Sequence, residues 1–165
     1  VGVESVCELL DFDLEGEMVN CDEICDRLNQ ALVKGVRVLK CYDDCKKIKE
    51  LAYLQCNITL EYDAGIPADA EQTICRLFSR ETLPVEKKSK NGMVEQDIIP
   101  MIRKLDVAAV SDRELRLHAL VCCQNPSLNP MQLAAAVEKY LPEHRPDHSV
   151  CCRVEIMDNN ENVFR

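Results

Sequence analysis

Three stretches of the sequence alternate between apolar and polar residues, and this pattern limits the chain to a fold built on half-buried β-strands. They cover 52–62, 114–123 and 150–157. The side chains predicted to face inward are Ala52, Leu54, Cys56, Ile58, Leu60 and Tyr62 in the first stretch, Leu115, Leu117, Ala119, Val121 and Cys123 in the second, and Val150, Cys152, Val154 and Ile156 in the third. Because the opposite side of each stretch is polar, we expect helices on one face of the sheet.

Two further strands are predicted near the N-terminus, over 5–14 and, more weakly, over 36–42 after Gly35. The inward residues of the first are Val6, Leu10, Phe12 and Leu14. Glu8 lies in phase with this inward set. Either it is a buried carboxylate that needs a partner, or it lies exposed at a strand end or in a register shifted by one residue.

Three segments combine a capping residue with the apolar stripe of a helix. The predicted caps are Asn20, Asp69 and Asn129, for helices running to residue 33, over 70–79, and from Pro130 to the stop at Pro142. Their apolar stripes are Ile24, Leu28, Ala31 and Leu32, then Ile74, Leu77 and Phe78, then Leu133, Ala136, Val137 and Tyr140.

The segment 83–99 is predicted to form a hairpin, because Asn91-Gly92 is the residue pair that favours a two-residue type I′ turn. After it, we expect one or two helical turns between Ile98 and Leu105, and a short strand from Asp106 to Val110.

This order of elements predicts an α+β fold with a mixed or antiparallel sheet. Residues 47–165 are expected to form an elaborated ferredoxin-like domain, and residues 1–46 a partial ferredoxin-like β-α-β unit that is truncated at its N-terminus. A lone β-α-β unit is unstable, so we expect it to pack on the larger domain or to be completed by a second copy of the chain, as a dimer. The chain begins at Val1 without Met, and we take it as a piece of a longer protein.

Charge and cysteine content limit the kinds of partner and the cellular compartment that we expect. The formal charge is −9 and aromatic residues make up 4%, so nucleic-acid binding would need a local basic patch. No apolar run is long enough to span a membrane, and no signal peptide is visible. Eleven cysteines, an odd number, in a chain without an export signal predict free thiols in the reducing cytoplasm.

The cysteine pairs Cys21-x3-Cys25 and Cys41-x3-Cys45 are the first candidates for chemistry. Two alternatives stay open: the pairs meet to form a four-cysteine metal site, or the thiols are small apolar filler. Since neither spacing is that of a known metal motif, we expect no metal and no cofactor. Spacing also indicates no catalytic group, so catalytic activity of the chain by itself is not expected.

Two sets of basic side chains are the candidate binding residues. One is a possible anion patch at the hairpin and beyond it: Lys87, Lys88, Lys90, Arg103 and Lys104. The other lies on the polar face of the sheet: Arg116, His118 and Arg153. The default interpretation of the first set is a solvated hairpin tip, and that of the second is a sheet face that is open to solvent or covered by the other unit.

Several short motifs resemble one bacterial family, the radical-SAM-linked domain of unknown function. They are Val1-Gly2-Val3-Glu4-Ser5, Glu8-Leu9-Leu10-Asp11, Gly35-Val36-Arg37-Val38-Leu39, Val85-Glu86-Lys87-Lys88, Asp97-Ile98-Ile99-Pro100-Met101-Ile102, Leu128-Asn129-Pro130 and Arg153-Val154-Glu155. Members of the family are fused to cobalamin-binding radical SAM proteins or encoded beside them, and normally carry a further β-α-β segment before Val1. The paired cysteines are not part of the family pattern.

The resemblance implies an accessory domain that binds its radical SAM partner or presents that partner's substrate. The alternative is an RNA- or tRNA-binding module, by analogy with the sheet faces of ferredoxin-like proteins. An enzyme that uses a cysteine or a thiolate-bound metal is a third hypothesis.

Overall fold

The structure is a computed structural model that describes residues 3–16, 20–43, 46–89 and 92–165, with only the backbone described at Ser89. Two compact units divide it: the larger takes in Val1–Glu8 and Lys49–Phe164, and the smaller takes in Leu9–Ile48 with Arg165. The described strands are β1 (Val3–Ser5), β2 (Leu51–Glu61), β3 (Pro84–Ser89), β4 (Gly92–Asp97), β5 (Ile102–Ala109), β6 (Glu114–Cys122) and β7 (His148–Asp158). The described α-helices are α1 (Cys21–Ala31), α2 (Ala70–Phe78) and α3 (Met131–Tyr140).

The larger unit is built on a five-stranded mixed sheet in the order β1-β7-β2-β6-β5. The pairs β7–β2, β2–β6 and β6–β5 are antiparallel, and β1 lies parallel to β7 at one edge. Strands β3 and β4 form a separate two-stranded hairpin. The predicted α+β class with a mixed sheet is therefore confirmed.

The alternation that predicted strands β2 and β6 places their apolar side chains in the core. Cys56, Ile58 and Leu60 are fully buried, and so are their counterparts on β6. Helices α2 and α3 add Ile74, Leu77, Leu133, Ala136 and Val137 to the same cluster. Both helices thus pack on the face of the sheet that the sequence predicted to be apolar.

On strand β7 the predicted inward set is wrong at its N-terminal half. Cys151 is the buried residue there, whereas Val150 and Cys152 are only half-buried. The register explains the error: Cys56 pairs with Arg153 but Gln55 pairs with Glu155, so β7 carries an extra residue at this point. Such a bulge shifts the inward phase by one residue, and the alternation in the sequence does not reveal it.

Two predicted caps hold their helices by direct hydrogen bonds. The Asn20 side chain accepts from the amide of Asp22 at 2.9 Å, and Asn129 accepts from the amide of Met131 at 3.1 Å. Asp69 makes no such bond to the backbone of α2 and instead accepts from the Thr73 hydroxyl. Helix α3 starts one residue after Pro130 and ends before Pro142, close to its predicted limits.

The two N-terminal strand predictions are corrected. Strand β1 ends at Ser5, one further backbone bond joins the Val6 amide to Arg153, and Val6, Leu10, Phe12 and Leu14 are exposed. The segment 36–42 contains no strand. There, the Asn29 side chain bonds both backbone groups of Val38, at 3.1 and 2.8 Å, in the way that a neighbouring strand would.

The predicted hairpin is confirmed as β3 and β4, but its predicted turn pair Asn91-Gly92 is wrong at Gly92, which is the first residue of β4 and pairs with Ser89. Asn91 lies outside the described residues. Between Ile98 and Leu105 only Ile99–Met101 is helical, as one 3₁₀ turn. Strand β5 starts at Ile102, four residues before the predicted start at Asp106, because its first residues already pair with β6. The domain boundaries predicted from the sequence stay a prediction.

We expect Ile58→Ala to lower the free energy of unfolding by about 2–5 kcal/mol, because the side chain is fully buried and its removal leaves a cavity. Urea unfolding followed by circular dichroism measures this. Val6→Ala, at an exposed position of the same unit, is the control and should cost less than about 0.5 kcal/mol. Equal losses in the two variants would contradict the inward phase assigned to β2.

Candidate functional site

The lysines of the predicted anion patch lie on strand β3 of the hairpin. Lys88 is exposed, and Lys87 is half-buried with its Nζ donating to the carbonyl of Ser127 at 3.4 Å. Lys90 lies outside the described residues. The patch at the hairpin therefore presents Lys88 to solvent, while the Lys87 side chain is directed to Ser127, in the loop after β6.

Arg103 and Lys104 lie on β5, in the other sheet, and both contact Glu161. Arg103 Nε is 2.8 Å from Glu161 Oε1, and Lys104 Nζ contacts the second carboxylate oxygen. The hydrogen bonds from Lys104 and then Arg103 hold the pKa of Glu161 below its ordinary value, and the Glu161 carboxylate raises the pKa of Arg103. One carboxylate thus neutralises half of the charge that this pair would offer to an anion.

The register of β2 and β6 brings Arg116 and His118 together on the second face of the sheet. Asn57 lies opposite His118, and Thr59 lies opposite Arg116. His118 is bonded on both ring nitrogens: Nδ1 is 2.6 Å from Asn57 Oδ1, and Nε2 is 2.9 Å from Gln55 Nε2. This pattern assigns the proton to Nδ1, because an amide oxygen can only accept, and leaves Nε2 to accept from Gln55.

Arg116 is half-buried, and its buried Nε has no hydrogen-bond partner among the described residues. Arg153 on β7 points to a different contact: its Nη1 is 2.9 Å from Glu8 Oε1. Glu8 is exposed, so the first of the two alternatives, a buried carboxylate, is wrong. An exposed pair of this kind contributes at most about 1 kcal/mol.

All ten cysteines of the described residues are free thiols; Cys45 lies outside them. Cys56 and Cys151 are fully buried under the helices, where Cys56 Sγ donates to the carbonyl of Ala119 at 3.6 Å. The hydrogen bond to Cys151 and burial together raise the pKa of Cys56. Both therefore act as apolar core side chains.

No group of three or more histidine, cysteine or carboxylate side chains in the described ranges is arranged to hold a metal ion. The four-cysteine alternative depends on Cys45, which is not among them. In the described part of the chain no helix has both the length and the apolar character needed to cross a membrane.

The feature that the sequence analysis missed is the exposed apolar surface of the smaller unit. None of the described residues between 9 and 48 is buried. Its large exposed apolar side chains include Leu9, Leu10, Phe12, Leu14, Leu32, Val33, Val36 and Leu39. Leu10 is 77% exposed and Leu39 is 80% exposed. The sequence shows this surface only as apolar residues in segments 5–14 and 36–42, a pattern that equally predicts two half-buried strands.

The fold places the chain in the α+β class, with a mixed sheet that carries helices on its apolar face. Residues 1–130 match the family described as an uncharacterized protein conserved in bacteria, DUF2344. The chain belongs to this family. Neither the curated proteins nor the solved structures include a match to the chain.

We expect Glu161→Gln to lower the thermal midpoint at pH 7, because it leaves Arg103 and Lys104 without their carboxylate partner. A carboxyl whose pKa is lowered by folding stabilises the fold above its unfolded-state pKa and loses that contribution as the pH falls. The difference between variant and wild type should therefore shrink from pH 7 towards pH 3.

Thermal unfolding at a series of pH values measures this difference. Glu81→Gln, at an exposed position, is the control and should leave the midpoint unchanged at every pH. A gap between Glu161→Gln and wild type that stays constant down to pH 3 would contradict the assignment.

Proposed function

We propose that this domain is a non-catalytic accessory module that binds a cobalamin-binding radical SAM protein, fused to it or encoded beside it, and helps to present that protein's substrate. The single observation that carries the proposal is the exposed apolar surface of the smaller unit. The link to radical SAM chemistry comes from the family resemblance of the sequence motifs.

Exposed apolar side chains are common singly, but runs of them mark protein interaction sites. The smaller unit has two such runs, 9–14 and 32–39, with Leu10, Val33 and Leu39 each more than 70% exposed. Full burial of one such side chain is worth roughly 1.5–3 kcal/mol. A partner that covers several of them would gain enough to offset the usual costs of association.

The smaller unit also needs an apolar contact for its own stability. Since none of its described side chains is buried, the described part of the unit lacks the core by which a segment of this size stabilises itself. A radical SAM partner would supply that apolar contact. A second copy of the chain is the other way to complete the unit.

For the larger unit we infer a ferredoxin-like arrangement of β2, α2, β5, β6, α3 and β7. Its support is the chain order β-α-β-β-α-β together with the spatial order β7-β2-β6-β5, in which each neighbouring pair is antiparallel. The hairpin of β3 and β4 is then an insertion after α2, and β1 is an addition at the sheet edge. We place the protein in the cytoplasm on the strength of its eleven cysteines.

The test is co-purification of the chain with the radical SAM protein of the same system. We expect a complex with the wild type, and at least tenfold weaker binding for the double variant Leu10→Asp/Leu39→Asp, because charges at these positions cannot be buried without cost. The matched control is Met93→Asp, at an apolar residue 60% exposed on the hairpin of the larger unit, which should bind like the wild type.

Two results would overturn the proposal: no complex with wild-type protein, or equal binding by the double variant. Sedimentation of the chain alone, at the same concentrations, separates the two ways of covering the smaller unit. A dimer that Leu10→Asp/Leu39→Asp dissociates would assign the surface to a second copy instead.

RNA binding is the second candidate, and the observation that favours it is that Arg116 and His118 lie two residues apart on β6, on the same face of the sheet. If it is correct, tRNA should bind in dilute salt, weaken as salt is added, and weaken further with Lys87→Glu/Lys88→Glu/Lys90→Glu. Arg116→Glu tests the sheet face in the same assay, with Arg145→Glu, at an exposed arginine that belongs to neither set, as the control. Filter binding that detects no complex in dilute salt would remove this candidate.

A further inference from the structure

Helix α1 carries two thiols and one amide along the same side. Cys21, Cys25 and Asn29 follow one another at intervals of four residues, which places them on one face of a helix. All three are half-buried, while their neighbours Asp22, Glu23 and Asp26 are exposed. This face of α1 is therefore the one that the rest of the smaller unit lies against.

The chain after α1 returns along this face. Asn29 holds Val38 by two hydrogen bonds, donating to its carbonyl at 3.1 Å and accepting from its amide at 2.8 Å. The three residues from Val38 to Cys41 can span up to about 10 Å, and the helix from Asn29 back to Cys21 covers about 12 Å. The returning chain thus reaches the N-terminal end of α1 at Cys41.

At that point the thiols of Cys21 and Cys41 hydrogen-bond to each other. Loss of hydration, the bond to Cys41 and the nearby Asp43 raise the pKa of Cys21 to about 11. At neutral pH the Cys21 thiol is therefore protonated. Both residues are half-buried, so a small reagent in solvent has access to them.

We propose that Cys21 and Cys41 form a site of reversible thiol–disulfide exchange with low-molecular-weight disulfides such as oxidised glutathione. One cysteine, as its thiolate, attacks the small disulfide, which releases one small thiol and leaves a mixed disulfide on the protein. The second cysteine then attacks the protein sulfur of that mixed disulfide and releases the second small thiol. Overall, two electrons pass from the cysteine pair to the small disulfide, and the two thiol protons end on the released thiols.

A disulfide between Cys21 and Cys41 would restrict the motion of its unit more than an average disulfide does. The smaller unit has no buried side chain among its described residues, so little else limits the opening of 21–41. Closing that loop removes freedom from the open state, and the chain-entropy relation gives roughly a hundredfold shift towards the closed form. Oxidation and reduction at this site would switch residues 21–41 between a disulfide-closed loop and an open one. The inference does not depend on the proposed partner.

The chain contains its own control pair. Cys56 and Cys151 also contact each other, but both are fully buried in the core of the larger unit. In the folded protein they are shielded from a small disulfide. Cys75 is exposed on α2, and should take up at most a mixed disulfide.

The experiment is to treat the folded, reduced protein with oxidised glutathione, block the remaining thiols by alkylation, and map cross-linked tryptic peptides by mass spectrometry. We expect a disulfide between the peptide that ends at Arg27 and the peptide 41–46, with no link between Cys56 and Cys151. The first peptide also holds Cys7 and Cys25, and the second also holds Cys45, so variants must identify the bonded atoms. Cys7→Ser should retain the link. Cys21→Ser and Cys41→Ser should abolish the link, and Cys25→Ser and Cys45→Ser should retain it.

Limited proteolysis at Lys34 and Arg37 gives a second measurement, with circular dichroism to confirm that each variant is folded. Oxidation should slow cleavage within 21–41 roughly a hundredfold in the wild type and in Cys25→Ser, and not at all in Cys21→Ser. The proposal is overturned if no link joins the two peptides, if the link survives Cys21→Ser or Cys41→Ser, or if a linked protein is cleaved as fast as the reduced one.

Discussion

Strand β2 is hydrogen-bonded to β6 on one side and to β7 on the other along most of its length, and the larger unit depends on this double pairing. The register sets Ile58 against Leu117 and Cys151, so three strands present their apolar side chains to α2 and α3 together. A slip of one residue would turn that whole set outward. The same register puts Asn57 beside His118 and thereby determines the hydrogen bonds on the opposite face.

The smaller unit shows what happens where such pairing is missing. Its described apolar segments have the composition of strands but pair with no neighbouring strand. A side-chain amide supplies part of the backbone hydrogen bonding that such a strand would provide. Asn29 satisfies both backbone groups of Val38, which holds one residue, whereas a strand would hold the whole segment. Apolar residues on either side, such as Val33 and Leu39, are therefore left exposed. The exposed apolar side chains and the Cys21–Cys41 contact both lie in this unit.

Sequence patterns predicted the elements whose determinants are local. The alternation in β2 and β6, the caps at Asn20 and Asn129, and the hairpin each depend on residues within a few positions of one another. The errors have a different origin. A bulge opposite Gln55 shifts the phase of β7, and alternation over 5–14 reads the same whether or not a partner strand exists. The contacts of Glu161 with Arg103 and of Cys21 with Cys41 join residues far apart in the chain, and only the fold brings them together.

The distribution of charge bears on the choice between a protein partner and RNA. Arg103, Lys104 and Arg153 each contact a carboxylate in the folded chain, so a phosphate would have to compete for them. Around them the net charge of −9 repels a polyanion at long range. An apolar partner surface meets neither obstacle, because its gain comes from removing Leu10, Val33 and Leu39 from water. On these physical grounds the exposed apolar segments favour a protein partner over a nucleic acid.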